Sequence, residues 1–144
     1  MVRRSDFLHI APQAWIGAAM ILLAVPIHWA GACLFAAIIH ELCHCLAITL
    51  CGERVVRVEI GIRGAKIESS PLSIRKSIVC ALAGPVGGLL LGLAASTFPR
   101  LATCGFLQSV FNLLPFYPLD GGRALRGIIC LIRERWEKRK IPCK

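Results

Sequence analysis

Apolar residues run almost unbroken through four stretches of the chain, from Ala14 to Ala30, Gly31 to Leu50, Ser77 to Phe98 and Leu101 to Leu119. Each is about the 17–25 residues that a helix needs to cross ~30 Å of hydrocarbon, so the pattern predicts about four transmembrane helices. Pro26, His28 and Trp29 separate the first two runs and predict a tight interfacial turn, because Trp favours the membrane boundary and Pro interrupts a helix. The period changes between the second and third runs. From Val56 to Ile62 the apolar residues fall at every second position, with Gly61 and Gly64 as punctuation, which predicts a short β-hairpin or curved strand within 53–68. That element is expected to lie against the cytoplasmic face of the bundle. Beyond Gly122, the residues Leu125, Ile128, Ile129, Ile132 and Trp136 share one helical face opposite Arg126, Arg133, Arg135 and Lys138. This predicts an interfacial amphipathic helix over 123–140, held by anionic lipid.

Composition agrees with the pattern. Of 144 residues 56% are hydrophobic and 17% charged, and mean hydropathy is +0.68. The expected fold is an all-α polytopic membrane protein, a single membrane-embedded core over 1–144, in which the β element is the one non-helical part. No soluble domain is expected before, between or after the spans.

The net charge of +9 would suggest nucleic-acid binding in a soluble protein. Here the basic residues are distributed by topology. Arg3 and Arg4 precede the first span, Arg54, Arg57, Arg63, Lys66, Arg75 and Lys76 lie between the second and third, and Arg123 begins the basic tail. Arg100 alone falls on the other side. The positive-inside rule then places both termini and the 51–76 segment in the cytoplasm, and no nucleic-acid partner is expected. A signal peptide ending near Ala30-Gly31-Ala32 is the competing reading of the first run; its removal would reverse the charge logic downstream. Eight cysteines suggest a disulfide framework only in a secreted domain, and six of these lie in apolar, predicted helical surroundings, where they read as small packing residues with reduced thiols.

The chemistry begins with His40-Glu41-Leu42-Cys43-His44, an HExxH sequence inside the second apolar run. Residues four apart share a helical face, so both imidazoles can meet one zinc ion, while Glu41, turned ~100° away, sits beside the metal as a general base requires. Ionisable groups in mid-membrane are costly unless they face a polar cavity and satisfy one another, and so they mark function. A catalytic zinc needs a third protein ligand and leaves one position open. Outside the loops and tails the acidic residues are Glu41 and Asp120; His9 and His28 lie near the chain start and the outer turn. Asp120 closes the fourth run on the side where the second span ends, so it can meet His44. Pro115, Pro118, Gly121 and Gly122 would break helical regularity there, which membranes tolerate where backbone lines a cavity or is covered by protein.

The combination of HExxH at 40–44, Ala83-Gly84-Pro85 and Asn112-x-x-Pro115-x-x-x-Leu119-Asp120-Gly121 resembles the site-2 protease family of intramembrane zinc metalloproteases. Within it, the chain is most similar to the compact sporulation-factor branch, which processes pro-sigma factors. The resemblance implies His40, His44 and Asp120 as zinc ligands, Glu41 as catalytic acid/base, Asn112 as a substrate contact, and a role for 53–68 in holding unwound substrate by strand addition. Two positions depart from the pattern: Cys43 stands where Gly is frequent, with its sulfur able either to pack or to approach the metal, and Gly88 stands where Asn is frequent.

The expected activity is hydrolysis of a peptide bond in a membrane-spanning or membrane-associated protein, with Zn2+ as cofactor and the active site opening to the cytoplasm. A catalytically silent zinc-binding pseudoprotease that binds client helices is the alternative, and a metal transporter a third reading. Transport would need polar residues on several spans, whereas the first and third are almost wholly apolar. With no sensing domain in view, regulation is expected from partners or substrate supply.

Overall fold

The computed structural model describes residues 8–61 and 64–140; Arg3, Arg4, Ile62 and Arg63, used above in the topology and strand readings, lie outside them. Along the chain come β1 (Leu8–Ile10), α1 (Pro12–Ala24), α2 (Ile27–Leu50), β2 (Val55–Gly61), β3 (Gly64–Ser69), α3 (Ile74–Leu90), a 3-10 turn (Leu91–Ala94), α4 (Pro99–Asn112) and α5 (Asp120–Lys140). The protein is mainly helical, with one three-stranded sheet in the order β1-β2-β3.

Among the described residues two helical segments are long and apolar enough to cross a membrane, Ile27–Leu50 and Ile74–Ala94. Neither is the sheltered core helix of a soluble protein. On α2 the residues Leu34, Ile38, Leu42, Leu46 and Leu50 recur every fourth position and are all exposed, an apolar stripe that suits lipid. α1 and α4 have 13 and 14 residues, about 20 Å each at 1.5 Å per residue.

The helix ends differ from those expected. The first break comes at Pro26, whose φ of −54° and ψ of 141° end one helix and start the next, so His28 and Trp29 belong to α2 and not to a turn. The fourth run does not continue as helix to Leu119. α4 stops at Asn112, and 113–119 is an irregular segment containing Pro115 and a cis Tyr117–Pro118 bond. Asp120 therefore opens α5 instead of closing a span.

The interhelical contacts rely on small residues. A side chain at Gly88 would meet Ser109 and the carbonyl of Gly105, and one at Gly105 would meet Leu91 and the Gly88 carbonyl, so α3 and α4 cross with their backbones close together. Ala124 is buried and Gly127 lies against Ile78, which brings α5 onto α3. Leu125, Ile128, Ile129, Ile132 and Trp136, the apolar face expected for the tail, are all left exposed.

The strand period is realised as a hairpin. β2 pairs antiparallel with β3, Val58 opposite Ile67 and Ile60 opposite Ala65, with a bulge between Val55 and Arg57. Val55 and Ile67 pack on Ala47, Ile48 and Cys80, seating the hairpin on the end of α2 and the start of α3. β1 was not expected. It pairs parallel with β2, Leu8 opposite Val58, and the Ala11 amide extends the ladder by donating to the Ile60 carbonyl at 2.8 Å.

Candidate metal centre

His40 and His44 lie one helical turn apart on the buried side of α2, and their Nε2 atoms are 3.2 Å from each other. Asp120, the first residue of α5, brings Oδ2 to 3.1 Å from each of these nitrogens. The three side chains are buried, and among the described residues this is the one cluster of His, Cys, Asp and Glu groups disposed to hold a metal ion. The other carboxylate oxygen, Oδ1, faces Arg123 Nη1 at 3.6 Å, one turn along α5.

Several close backbone approaches set this geometry. Gly84 of α3 lies directly under the two rings: a β-carbon there would collide with His44 Nε2 and stand 2.7 Å from His40 Nε2. At Gly121 and Gly122 a β-carbon would strike the backbone of Leu113, Leu114, Phe116 and Tyr117, so the paired glycines let the irregular segment fold tightly over the first turn of α5. The Leu119 amide donates to the Phe116 carbonyl at 2.9 Å, and Leu119 accepts from the Arg123 amide at 3.0 Å, carrying the chain into α5 with Asp120 turned toward α2.

The donor set fits a divalent cation. His44 Nδ1 lies 2.7 Å from the Cys80 carbonyl, which can only accept, so that nitrogen carries a hydrogen and the neutral ring presents a bare lone pair at Nε2. This lone pair points at a carboxylate oxygen and a second imidazole nitrogen. Three such atoms at 3.1–3.2 Å repel unless a cation or proton lies among them. Ligands bound to zinc at ~2.0–2.1 Å in a tetrahedron stand roughly 3.3 Å apart, close to the spacing here. The support behind the two rings is unequal: His40 Nδ1 is buried and has no hydrogen-bond partner among the described residues, whereas His44 is oriented through Cys80.

Glu41 follows His40 on α2 and is half-buried. Its carboxyl group lies within electrostatic reach of His40, His44 and Asp120 and approaches the backbone amide of Ala65 on β3, so the hairpin borders the site. The Cys43 sulfur packs on Gly87 of α3, where a β-carbon would collide with it, and it is not a member of the metal cluster. Asn112 is the last residue of α4, half-buried, and its amide makes no hydrogen bond to the three clustered residues. Sequence reasoning missed the direct parts played by Gly84 and the Cys80 carbonyl. The Ala83-Gly84-Pro85 motif was the signal for the first, while nothing in the sequence marks a particular backbone carbonyl.

No family model matches the sequence, nor does any curated protein. The folded chain does match a solved structure, the site-2 protease from Methanocaldococcus jannaschii, with a TM-score of 0.69. The fold is that of a site-2 protease. The superposition covers 90% of this chain and 70% of the other at 19% identity, so the likeness is one of architecture. The site-2 protease fold thus comes together with an exposed apolar helical surface and a triad, His40, His44 and Asp120, that could hold a metal.

Proposed function

We propose that this chain is a zinc-dependent intramembrane endopeptidase of the site-2 protease family, similar to its sporulation-factor branch, that cleaves membrane-spanning or membrane-associated proteins. The observation that carries the reading is the convergence of His40, His44 and Asp120 around one point, with Glu41 beside it on an apolar helix. In this reading the first three hold Zn2+. A zinc ion there supplies Lewis-acid polarisation of the scissile carbonyl and acidifies water. Glu41 accepts the proton of the attacking water and delivers it to the leaving amine. Burial of the triad keeps the dielectric low, which strengthens these charge interactions.

A substrate helix hides its carbonyls in internal hydrogen bonds, so it must unwind locally before attack. The β2–β3 hairpin beside Glu41 offers strand pairing to the unwound segment, and Asn112 a further polar contact. Four spans with both termini and the hairpin in the cytoplasm complete the proposal. α1 and α4 are then the short members, and α5 lies in the interface with its exposed isoleucines in lipid. A silent zinc-binding protein would have no use for Glu41 at this position.

Co-expression with candidate single-span clients tests the activity. Wild type is expected to yield a shorter product, and Glu41→Gln none, while the purified variant retains about one zinc per chain because the residue serves water and not the metal. Cleavage at the wild-type rate by Glu41→Gln would overturn the assignment.

A further inference from the structure

Seven cysteines lie among the described residues and none is in a disulfide, yet two of them are far closer than unbonded neighbours need to be. The sulfur of Cys33 on α2 is 2.8 Å from that of Cys104 on α4. Unlinked sulfurs in ordinary contact stand further apart than this, and the separation exceeds a covalent S–S bond of 2.03–2.05 Å by less than about 1 Å. Cys51 and Cys80, at 4.0 Å, keep the distance of an ordinary thiol contact.

The surroundings favour a pair held in place. Cys33 is the seventh residue of α2 and Cys104 the sixth of α4, so both lie within two turns of the start of their helices, at the same end of the bundle. Cys33 is half-buried and Cys104 buried, flanked by buried Ala102 and by Gly105, whose tight packing on α3 fixes α4. His40 is about 10 Å further along α2, two turns away, so the sulfurs are separate from the metal centre.

We infer that Cys33 and Cys104 are a redox pair that closes to a disulfide joining α2 to α4. With a small disulfide RSSR as oxidant, the more exposed Cys33 gives up its proton, and its thiolate attacks one sulfur and expels RS−, which takes that proton to become RSH. Cys104 then displaces the second RSH from the mixed disulfide. Two electrons pass from the cysteine sulfurs to the oxidant, and both protons leave on the two RSH molecules. The bond closes a loop of 71 residues in sequence separation, which restricts the unfolded chain. Under the topology proposed above this end faces the outer, oxidising side, but the pair stands on the sulfur geometry alone.

The test uses the full chain in detergent, treated with oxidised glutathione, alkylated without reduction, digested and mapped by mass spectrometry. A cross-linked peptide joining residues 33 and 104, lost on dithiothreitol treatment, is expected. Thermal unfolding should rise by several degrees on oxidation in wild type and stay unchanged in Cys33→Ala. Recovery of both cysteines as alkylated free thiols from oxidised, folded wild type would overturn the proposal, as would linkage of either one to another cysteine instead. The peptide map needs no variant, so it decides the matter even where Cys33→Ala folds poorly.

Discussion

His44 donates through Nδ1 to the Cys80 carbonyl at 2.7 Å, and this one bond determines what the other side of the ring offers. It fixes the tautomer, turns a lone pair toward His40 and Asp120, and ties the metal-facing side of α2 to the backbone of α3. α3 thus does more than fill the bundle. It supplies an acceptor at Cys80 and, one turn later at Gly84, the space in which the two rings meet.

Gly84→Ala should therefore disable the site without removing a ligand. The added methyl would occupy the position of His44 Nε2 and crowd His40, so the rings must separate or α3 must move away, at a cost of about 1–3 kcal/mol. Zinc binding is expected to weaken by roughly 10–100-fold, as when support behind a metal ligand is lost. Elemental analysis of the purified variant checks this, and wild-type zinc affinity in Gly84→Ala would contradict the geometry.

The topology is open to a direct check with reporter fusions. The distribution of basic residues requires residue 65 and the C-terminus in the cytoplasm and residue 100 outside. An extracytoplasmic signal at residue 65 would invert the bundle, and an equal signal at 65 and 100 would rule out a span between them.

At the hairpin base a polar cluster joins sheet to helix. Glu53 accepts from Lys76 Nζ at 2.8 Å and from the Ser70 hydroxyl at 2.8 Å, while Ser70 also accepts from the Arg54 amide at 3.0 Å. The Lys76 ammonium, helped by Ser70, holds the Glu53 carboxyl below the usual carboxylate range. A depressed folded-state pKa contributes stability above the unfolded value, and this is lost as pH falls through the folded one. The acid-induced loss of thermal stability should thus be shallower in Glu53→Gln. The effect is small for so accessible a pair, and identical acid profiles for the two proteins would deny the ion pair any part in seating the hairpin.

What was legible in the sequence was what is local or periodic. That His40 and His44 share one helical face needed only the helical repeat, and the hairpin only the alternation through Val56, Val58 and Ile60. The position of Asp120 beside them was reachable across the chain because few acidic residues lie outside the loops and tails. Other features were hidden for physical reasons. β1 is three residues long, and its partner in β2 lies 50 positions away, at Leu8 opposite Val58, so no local pattern announces it. α4 ends at Asn112 although the sequence stays apolar through Leu113, Leu114, Phe116 and Tyr117, because hydrophobicity reports the environment and not the backbone conformation. The helical repeat of the tail was legible, but its contact with α3, Gly127 against Ile78, was not, because one small residue carries no periodic signal.

The most demanding prediction concerns the third ligand. Asp120 is 76 residues from His44 in sequence, yet its Oδ2 is equidistant from both imidazoles at 3.1 Å. If it completes the site, Asp120→Ala should retain only a small fraction of one zinc per chain and no proteolysis, since two histidines alone leave two open positions. Asp120→Asn should be nearly as damaging, because an amide oxygen brings neither the carboxylate's charge nor its affinity for the ion. Cys43→Gly provides the contrast. Its sulfur packs on Gly87, so the variant should lose some packing between α2 and α3 but keep its metal and its activity. Zinc analysis of the three purified variants separates the possibilities: full occupancy in Asp120→Ala, or metal loss in a folded Cys43→Gly, would assign the third ligand elsewhere.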